Sequence, residues 1–382
     1  MDIETAARQA NEIAASVLAP AAALHDKEAK FSTEAVGALG AAGLLGLGVD
    51  RAFGGKGLGP RALSRVVAAL AEADASAAMV FLMHTLGAGV IQAAPRSQEL
   101  EHVLREIAAG RHLTTLAFSE AGSRSHFWAP VSRAISLNGS GVEITAQKSF
   151  VTSAGHADSY VVSSLAPAAT GPTESTLFLV VSGTPGIEAA APWDGMGLRA
   201  NASGPMKLDR CRVAPPYQLT GDGGGFAAML NVVLPAFNLG TASVALGICR
   251  AAVAATAEHL RTARFEHMGV TLGESLPNLR AQLAQMQIQT DGLAARIDNV
   301  IERLEHPSDT TMLGVLEVKA AAAEVAIEVT SLAMRTCGGA AFSRKLGIER
   351  FFRDAHAGAV MAPTGDVLRE FIGRALLGMP LF

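Results

Sequence analysis

The chain is poor in cysteine, in aromatic residues and in charge: its 382 residues include three cysteines, 5% aromatic residues and 17% charged residues. Cys211, Cys249 and Cys337 lie far apart and form no CxxC pair. This pattern argues against a disulfide framework and against a zinc site, so we predict no metal. Unpaired cysteines fit a reducing compartment, and we expect a cytoplasmic protein.

A concentration of basic residues is also missing. The net charge is −4, from 31 Lys and Arg against 35 Asp and Glu, and no basic block stands out. A nucleic-acid partner is therefore not expected, because binding to phosphate backbones needs a cationic surface. The first residues, MDIETAARQANEIAASV, are polar and acidic, unlike a signal peptide.

Apolar residues are abundant instead, at 49% of the chain. This content excludes disorder, and one fold has too little interior to hide it all, so we predict an oligomer. Two uncharged stretches, residues 76–95 and 223–249, are long enough to cross a bilayer. Both carry polar residues, Gly and Pro without an aromatic belt, which favours buried helices over membrane spans.

Periodicity divides the chain into three blocks. Residues 1–112 and 226–382 have helical spacing, and a heptad-like seam that includes Met286 and Leu293 is typical of a helix in a bundle. Residues 113–225 alternate or form short β-branched runs separated by Gly, Pro and Asn. We predict an α+β protein: an N-terminal helical domain, a middle antiparallel β domain and a C-terminal helical bundle.

Residues 119–126, SEAGSRSH, follow a predicted strand and are suited to binding. Their small side chains let a backbone approach a ligand closely, and their hydroxyl and N–H groups can bind a pyrophosphate or the edge of a flavin. An ordinary polar β-turn has the same composition, so the segment alone does not decide between the two.

Two further segments have the same double interpretation. In residues 147–158, QKSFVTSAGHAD, Phe150 and Thr152 lie on one strand face, so a ring could cover a flat ligand while a hydroxyl bonds its edge. An edge strand with one core Phe explains the same pattern. In residues 335–342, RTCGGAAF, the Gly pair is suited to a helix C-cap and also to a cofactor beside the backbone.

In this order, the segments resemble the acyl-CoA dehydrogenase family over nearly the whole chain. SEAGSRS is similar to the family's TEPGAGS, QKSFVTSAG to QKxWITNG, and MGLRANASG at residues 196–204 to MGxRxxxxG. CGGAAF followed by RDA is similar to the C-terminal GGxGF and RDA motifs. The resemblance implies that the C-terminal block is a four-helix bundle and that the protein is a homodimer or homotetramer.

The resemblance also implies FAD, held between the β domain and the bundle with help from a neighbouring subunit. Ser119 and Ser125 would contact the flavin or its phosphates. Phe150 would lie against the isoalloxazine, where the family usually has Trp, and Thr152 would bond near the N5 edge. Further cofactor contacts are expected from Arg335, Gly338, Gly339, Thr364 and Asp366. A surface salt bridge is the alternative for the arginine of this set, and helix capping is the alternative for its aspartate.

The catalytic base departs from the family pattern. The family usually removes the α-proton with a Glu in a YEGT-like motif, and the matching MAPTG places Ala362 there. A second family location, on the first long helix of the bundle, is Gly240. Neither residue can accept a proton. Pro277 and Arg335 stand where two Gln residues are usual, so some flavin contacts must be rebuilt.

His126 is the first candidate for a displaced base, because it follows the flavin-binding turn near the expected substrate mouth and histidine is a residue type that commonly serves as a general base. His84, His156, His356 and Asp366 are the others. A lone histidine is more often structural than catalytic, and that alternative stays open for each.

Three functions follow from these patterns. The first is an FAD-dependent dehydrogenase that oxidises an acyl-CoA or a carrier-bound acyl thioester at the α,β-carbons and passes electrons to an acceptor. The second is a flavin-dependent monooxygenase or oxidase of the same fold, supplied by a flavin reductase or a pyridine nucleotide, which needs no Glu at position 362. The third is a base-less subunit that partners an active homologue.

Overall fold

The computed structural model of the chain describes residues 1–124 and 126–381, and the predicted site residue Ser125 lies outside them. Helices come first, then a β region, then a second set of helices, in the order that the periodicity predicts. This order confirms the α+β prediction.

Six helices with described bounds form the N-terminal part. They are α1 (Ile3–Ile13), α2 (Ala19–Glu28), α3 (Thr33–Ala41), α4 (Pro60–Ala73), α5 (Ala75–Ala93) and α6 (Gln98–Ala108). Ser32 caps α3 by accepting from the Ala35 N–H at 3.2 Å. Asp74 ends α4 and caps α5 with bonds from the amides of Ser76 and Ala77, which turns the chain sharply between two buried helices.

Two sheets form the middle part. The strands are β1 (Thr114–Ala117), β2 (Ile135–Ser136), β3 (Val142–Val151), β4 (Ser159–Leu165), β5 (Ser175–Val181), β6 (Ile187–Ala189) and β7 (Gly204–Val213). One sheet has the order β1-β4-β5 and the other β2-β3-β7-β6. The antiparallel prediction holds for these neighbours except β1 and β4, which are parallel. The chain leaves β1, crosses to the other sheet for β2 and β3, and returns beside β1 in the same direction.

Up to residue 381, the C-terminal part is helical apart from one small hairpin. Its elements are α7 (Gly225–Ala228), α8 (Leu234–Thr262), β8 (Arg264–Phe265), β9 (Val270–Thr271), α9 (Leu272–Ser275), α10 (Pro277–Glu305), α11 (Thr311–Cys337), α12 (Gly339–Phe342), α13 (Ile348–Ala355), α14 (Ala357–Val360) and α15 (Gly365–Leu376). Helices α8, α10 and α11 pack on one another, and α15 packs on α11. The predicted seam of α10 is confirmed, because Met286, Leu293, Ile297 and Val300 are buried.

The two long apolar runs are core helices. Helix α5 and the continuous helical run Gly225–Thr262 are long and apolar enough to span a membrane, but 78% and 83% of their most apolar stretches are buried within the protein. Helix α5 packs against β1 and α4, while α8 packs against α4 and α11. Burial inside the fold therefore accounts for the low charge of both runs, as the sequence predicts.

Candidate functional site

A cavity of about 680 Å³ lies where the sheets meet α5, α8 and α14. This volume is in the range of small-molecule and cofactor sites. The sequence segments around residues 119, 150, 200 and 362 all contribute to its wall. The described lining residues are Met79, Met83, Leu116, Phe118, Ser119, Glu120, Ala121, Gly122, Arg124, Phe127, Ser149, Phe150, Thr152, Trp193, Gly197, Leu198, Asn201, Ser203, Val233, Leu234, Phe237, Ala357, Val360, Met361 and Ala362.

The polar side of the cavity joins two of the predicted segments. The turn that follows β1 and the end of β3 are connected by a hydrogen bond from the Ser149 N–H to the Ser119 carbonyl at 2.9 Å. Thr152 is buried, and its hydroxyl lies 3.0 Å from the Ser203 hydroxyl. Ser119 and Thr152, both predicted as flavin contacts, therefore lie in the wall of one cavity, together with hydroxyls that the sequence did not single out.

A buried ion pair joins Glu120 of this wall to Lys148 of β3. Lys148 Nζ is 2.6 Å from Glu120 Oε1, and it also donates to the Ser163 carbonyl at 2.5 Å. Glu120 accepts from the amides of Val131 and Ser132, both at 2.7 Å. Burial opposes ionisation of Glu120, but the charge and hydrogen bond of Lys148 outweigh it and hold the pKa below its usual value. The pair fixes the turn against β3.

An aromatic corner stands beside the polar wall. The Phe150 side chain is 68% exposed, at a β-bulge where its backbone has φ of +55°. The Trp193 ring lies 6.2 Å from the Phe150 ring at an interplanar angle of 85°, and its Nε1 donates to the Leu198 carbonyl at 3.1 Å. A Cβ on Gly195 would come within 2.0 Å of the indole, so only glycine lets the indole fold back on this loop.

The segment before α15 is held by Lys319 of α11. The buried Nζ donates to the carbonyls of Gly358, Met361 and Pro363 at 3.3, 2.9 and 2.7 Å. Burial lowers the pKa of Lys319 to about 7. Three acceptors require three N–H donors, which only the ammonium form carries. Lys319 therefore fixes the segment that places Ala362 in the cavity wall.

Neither family position for the base carries a proton acceptor, and the two differ in the space around them. Ala362 faces the cavity. Gly240 is packed under α5, because an added Cβ would lie 2.2 Å from Leu82 Cδ1. Among the described lining residues Glu120 is the only carboxylate, and its oxygens are already engaged by Lys148, Ser132 and Val131. A free carboxylate base is thus absent from the described wall.

The candidate histidines lie outside the described cavity wall. His126 is exposed and stacks on Trp128, with ring centroids 4.9 Å apart. His84 is fully buried, with Nε2 2.9 Å from the Leu45 carbonyl and Nδ1 accepting from the Thr114 N–H at 3.1 Å. Burial lowers the pKa of His84 to about 4, so it is neutral and its role is structural.

The two remaining histidines are held by local contacts. The His156 ring stacks on Phe31 with centroids 4.2 Å apart, and burial lowers its pKa. His356 Nδ1 lies 2.7 Å from the Phe352 carbonyl. Neither imidazole belongs to the described cavity wall.

The C-terminal cofactor candidates are not brought to the cavity within this chain. Arg335 is exposed at the end of α11, and Gly338 and Gly339 are exposed beyond it. Thr364 occupies the N-cap position of α15. Asp366 is 97% exposed and pairs with Arg369 at 2.9 Å. The resemblance implies that the Gly pair contacts the flavin of a second copy. Such a contact would explain why these two glycines are exposed on this chain.

The MGLR and RDA motifs meet in a buried contact. The Leu198 N–H donates to Asp354 Oδ1 at 2.7 Å, and a Cβ on the adjacent Gly197 would lie 2.5 Å from the Arg353 carbonyl. Burial raises the pKa of Asp354 to about 7. Arg353 reaches further, to Asp26 of α2 at 2.6 Å. These residues support the loop that carries Trp193. The sequence analysis identified them as parts of two family-like motifs but did not predict the contact between them.

The residues present fit a flavin. Phe150 offers an exposed flat ring at the end of a strand, Trp193 meets it at a right angle, and Ser119 and Thr152 supply hydroxyls beside it. An apolar space continues from this corner between Met83 of α5 and the start of α8. A ring system with a polar edge and an apolar substrate can therefore be bound side by side.

Models of the acyl-CoA dehydrogenase family match the N-terminal domain at residues 2–111, the middle domain at 115–211 and the C-terminal domain at 223–377. The cyclohex-1-ene-1-carbonyl-CoA dehydrogenase of Geobacter metallireducens is 26% identical over 96% of this chain and 95% of its own length. The structure of butyryl-CoA dehydrogenase from Megasphaera elsdenii has a TM-score of 0.92 at 23% identity, covering 99% of this chain and 98% of that one. The FAD complex of PigA has a TM-score of 0.89 at 19% identity, covering 98% and 99%.

Proposed function

The chain belongs to the acyl-CoA dehydrogenase family, and we propose that it is an FAD-dependent oxidoreductase that oxidises an acyl-CoA, or an acyl group on a carrier thiol, at the α,β-carbons. The observation that carries this assignment is the single cavity in which the SEAGSRS and QKSFVTSAG segments meet an apolar space between α5 and α8. The FAD would supply a two-electron acceptor when bound.

Different residues of the cavity wall would bind the flavin ring, its polar edge and the acyl chain. Phe150 and Trp193 would cover the flavin ring, while Ser119 and Thr152 would hold its polar edge. The apolar wall, which includes Met83 and Phe237, would take the acyl chain because its side chains offer dispersion contacts. Arg335, Gly338, Gly339, Thr364 and Asp366 stay proposed contacts for the FAD of a neighbouring subunit.

Removal of the α-proton needs an acceptor, and the described cavity wall offers no free carboxylate for it. Glu120 is saturated by donors, and Ala362 has no titratable group. We propose His126 as the acceptor, because it lies in the chain between Arg124 and Phe127 of the cavity wall. Its exposed imidazole is outside the described wall, so we expect slow reduction. An acceptor protein outside the cavity would take up the electrons.

A second candidate is a flavin-dependent monooxygenase or oxidase supplied by a flavin reductase. The specific observation in its favour is that both base positions are closed to proton transfer, Ala362 by its methyl group and Gly240 by the packing of Leu82. This chemistry takes no α-proton from a thioester, so the same wall needs no carboxylate.

The burial of the cysteines and the exposure of some large apolar side chains bear on the compartment and the oligomeric state of the protein. The three cysteines are buried and unpaired, which favours a reducing cytoplasm. Phe342, 84% exposed beside the Gly pair, and Ile288, 66% exposed on α10, favour burial against a second copy in a homodimer or homotetramer.

The test is an anaerobic titration of the FAD-loaded protein with butyryl-CoA and with longer and branched acyl-CoAs. Bleaching of the flavin by at least one class is the expected result. Flavin that stays oxidised across the panel, but supports coupled oxygen consumption when a reductase supplies electrons, would replace the first assignment with the second. Bound flavin that is inert in both assays would indicate a base-less subunit, and failure to bind any flavin would contradict all three.

A further inference from the structure

Arg124 adopts a backbone conformation that favours glycine. Its φ is +49°, in the left-handed region, where a residue with a Cβ pays a steric penalty. In the aligned segments, SEAGSRS places this arginine where TEPGAGS has glycine. The chain has thus put a long cationic side chain at a position where the least strained residue is the smallest one.

Within the described residues, the charge of Arg124 is uncompensated. The residue is exposed, lines the cavity and is the only cation among the described lining residues. The guanidinium has no hydrogen-bond or ion-pair partner within residues 1–124 and 126–381. Glu120, the one carboxylate in the described wall, already pairs with Lys148, whose charge balances it.

We propose that Arg124 binds an anionic group, a phosphate or a carboxylate, on a ligand of this cavity. A guanidinium recognises such groups through two parallel charge-assisted hydrogen bonds, which neither serine nor an apolar wall can supply. The inference rests on the proposed function, because the anion belongs either to the FAD diphosphate or to the thioester substrate. The substrate can supply it from the phosphates of CoA or from a carboxylate on the acyl group.

The backbone strain and the proposed binding role predict opposite effects of one substitution on stability and on affinity. Arg124→Gly relieves the left-handed backbone and removes the guanidinium, so it should raise the unfolding temperature by about 2 °C while weakening ligand binding. A merely structural arginine would show the opposite, a loss of stability without a binding defect. Arg210 is a matched control, because it is exposed, has φ of +52° and lies on β7 outside the described cavity wall. Arg210→Gly should give the stability gain alone.

The experiment measures dissociation constants by calorimetry for FAD, riboflavin, butyryl-CoA and glutaryl-CoA with the full-length wild type, Arg124→Gln, Arg124→Lys and the two glycine variants. Loss of the guanidinium should weaken at least one anionic probe by about 10- to 100-fold. The neutral riboflavin should change less than twofold, and Arg124→Lys should recover part of the loss.

The pattern of losses identifies the source of the anion. A loss for FAD assigns the flavin diphosphate, an equal loss for both thioesters assigns CoA, and a loss confined to glutaryl-CoA assigns an acyl carboxylate. Arg124→Gln values within twofold of the wild type for all four probes would overturn the proposal, as would a wild type that binds none of them. A wild type that binds thioesters but no flavin would refute the proposed function while still testing Arg124.

Discussion

The Lys148–Glu120 pair allows the most quantitative test, because both partners are removed from water. The side chains are 0% and 3% exposed, and the Nζ–Oε1 distance is 2.6 Å. The perturbation is Lys148→Met, which keeps an unbranched side chain one atom shorter than lysine and deletes its charge. Glu120 then keeps the amides of Val131 and Ser132 as donors but loses its counter-ion in a low-dielectric interior.

The expected cost follows from what is left unpaired. Removing one partner of a buried ion pair typically costs about 3–5 kcal/mol, because the other charge stays buried. Glu120→Gln should cost a similar amount, since the ammonium of Lys148 would keep only neutral acceptors such as the Ser163 carbonyl. In the double variant no charge remains, and the glutamine oxygen can still accept from the two amides. Its cost should therefore fall below the sum by about 2 kcal/mol or more.

The assay is urea unfolding of the flavin-free protein at pH 7 and at acid pH. Because the folded pKa of Glu120 lies below the ordinary 4.5, the contribution of its charge is present above that pH and is lost as the pH falls through the folded value. The double variant should lose this part of the acid sensitivity. Additive single-variant costs, or a cost below about 1 kcal/mol for Lys148→Met, would refute the assignment of a buried, mutually dependent pair.

Three further predictions test the site. Ala362→Glu should speed anaerobic flavin bleaching by butyryl-CoA by about 10²- to 10⁴-fold by adding a base, whereas the uncharged Ala362→Gln should not, and equal rates in the two variants would contradict this. The pKa of Asp354 is about 7 in the folded protein and 3.8 in the unfolded chain. The free energy of unfolding of the wild type should therefore fall, relative to Asp354→Asn, by up to about 4 kcal/mol as the pH rises from 4 to 7. Urea unfolding profiles that stay parallel for the two proteins would contradict this. Trp193→Ala should weaken FAD binding by about three- to tenfold in a fluorescence titration, whereas the control Trp128→Phe should not. An unchanged dissociation constant for Trp193→Ala would show that the indole does not contact the flavin.

The sequence predicts well what depends on local spacing. The period of Met286, Leu293 and Ile297 determines a helix with one buried face, and the structure buries all three. Phe150 and Thr152, predicted to lie on one face of a strand, both line the same cavity, but Phe150 lies at a β-bulge and Thr152 just beyond the end of β3. Short motifs with small residues and hydroxyls thus locate the site, because turn and strand geometry follow from neighbours in the chain.

Features that depend on residues far apart in sequence were not predictable in the same way. Lys319 contacts carbonyls about forty positions later, and nothing in a helical Lys distinguishes this from a solvated one. Trp193 reaches Phe150 only because the loop folds back on Gly195. The parallel pairing of β1 with β4 also depends on the path of the chain between the two sheets. In each case the partner is set by the fold, while the local pattern is compatible with several partners.

The two missing base positions constrain the chemistry unequally. At Gly240 a side chain is excluded by Leu82, so a carboxylate there would require repacking α5 against α8. At Ala362 the backbone on both sides is held by Lys319 through the Met361 and Pro363 carbonyls, while the methyl group faces open space. One substitution can therefore restore a carboxylate at 362 without moving its support. If Ala362→Glu raises the reduction rate, the wild-type scaffold retains dehydrogenase geometry and lacks only the base; if it binds thioester without reduction, the cavity positions its ligand for different chemistry.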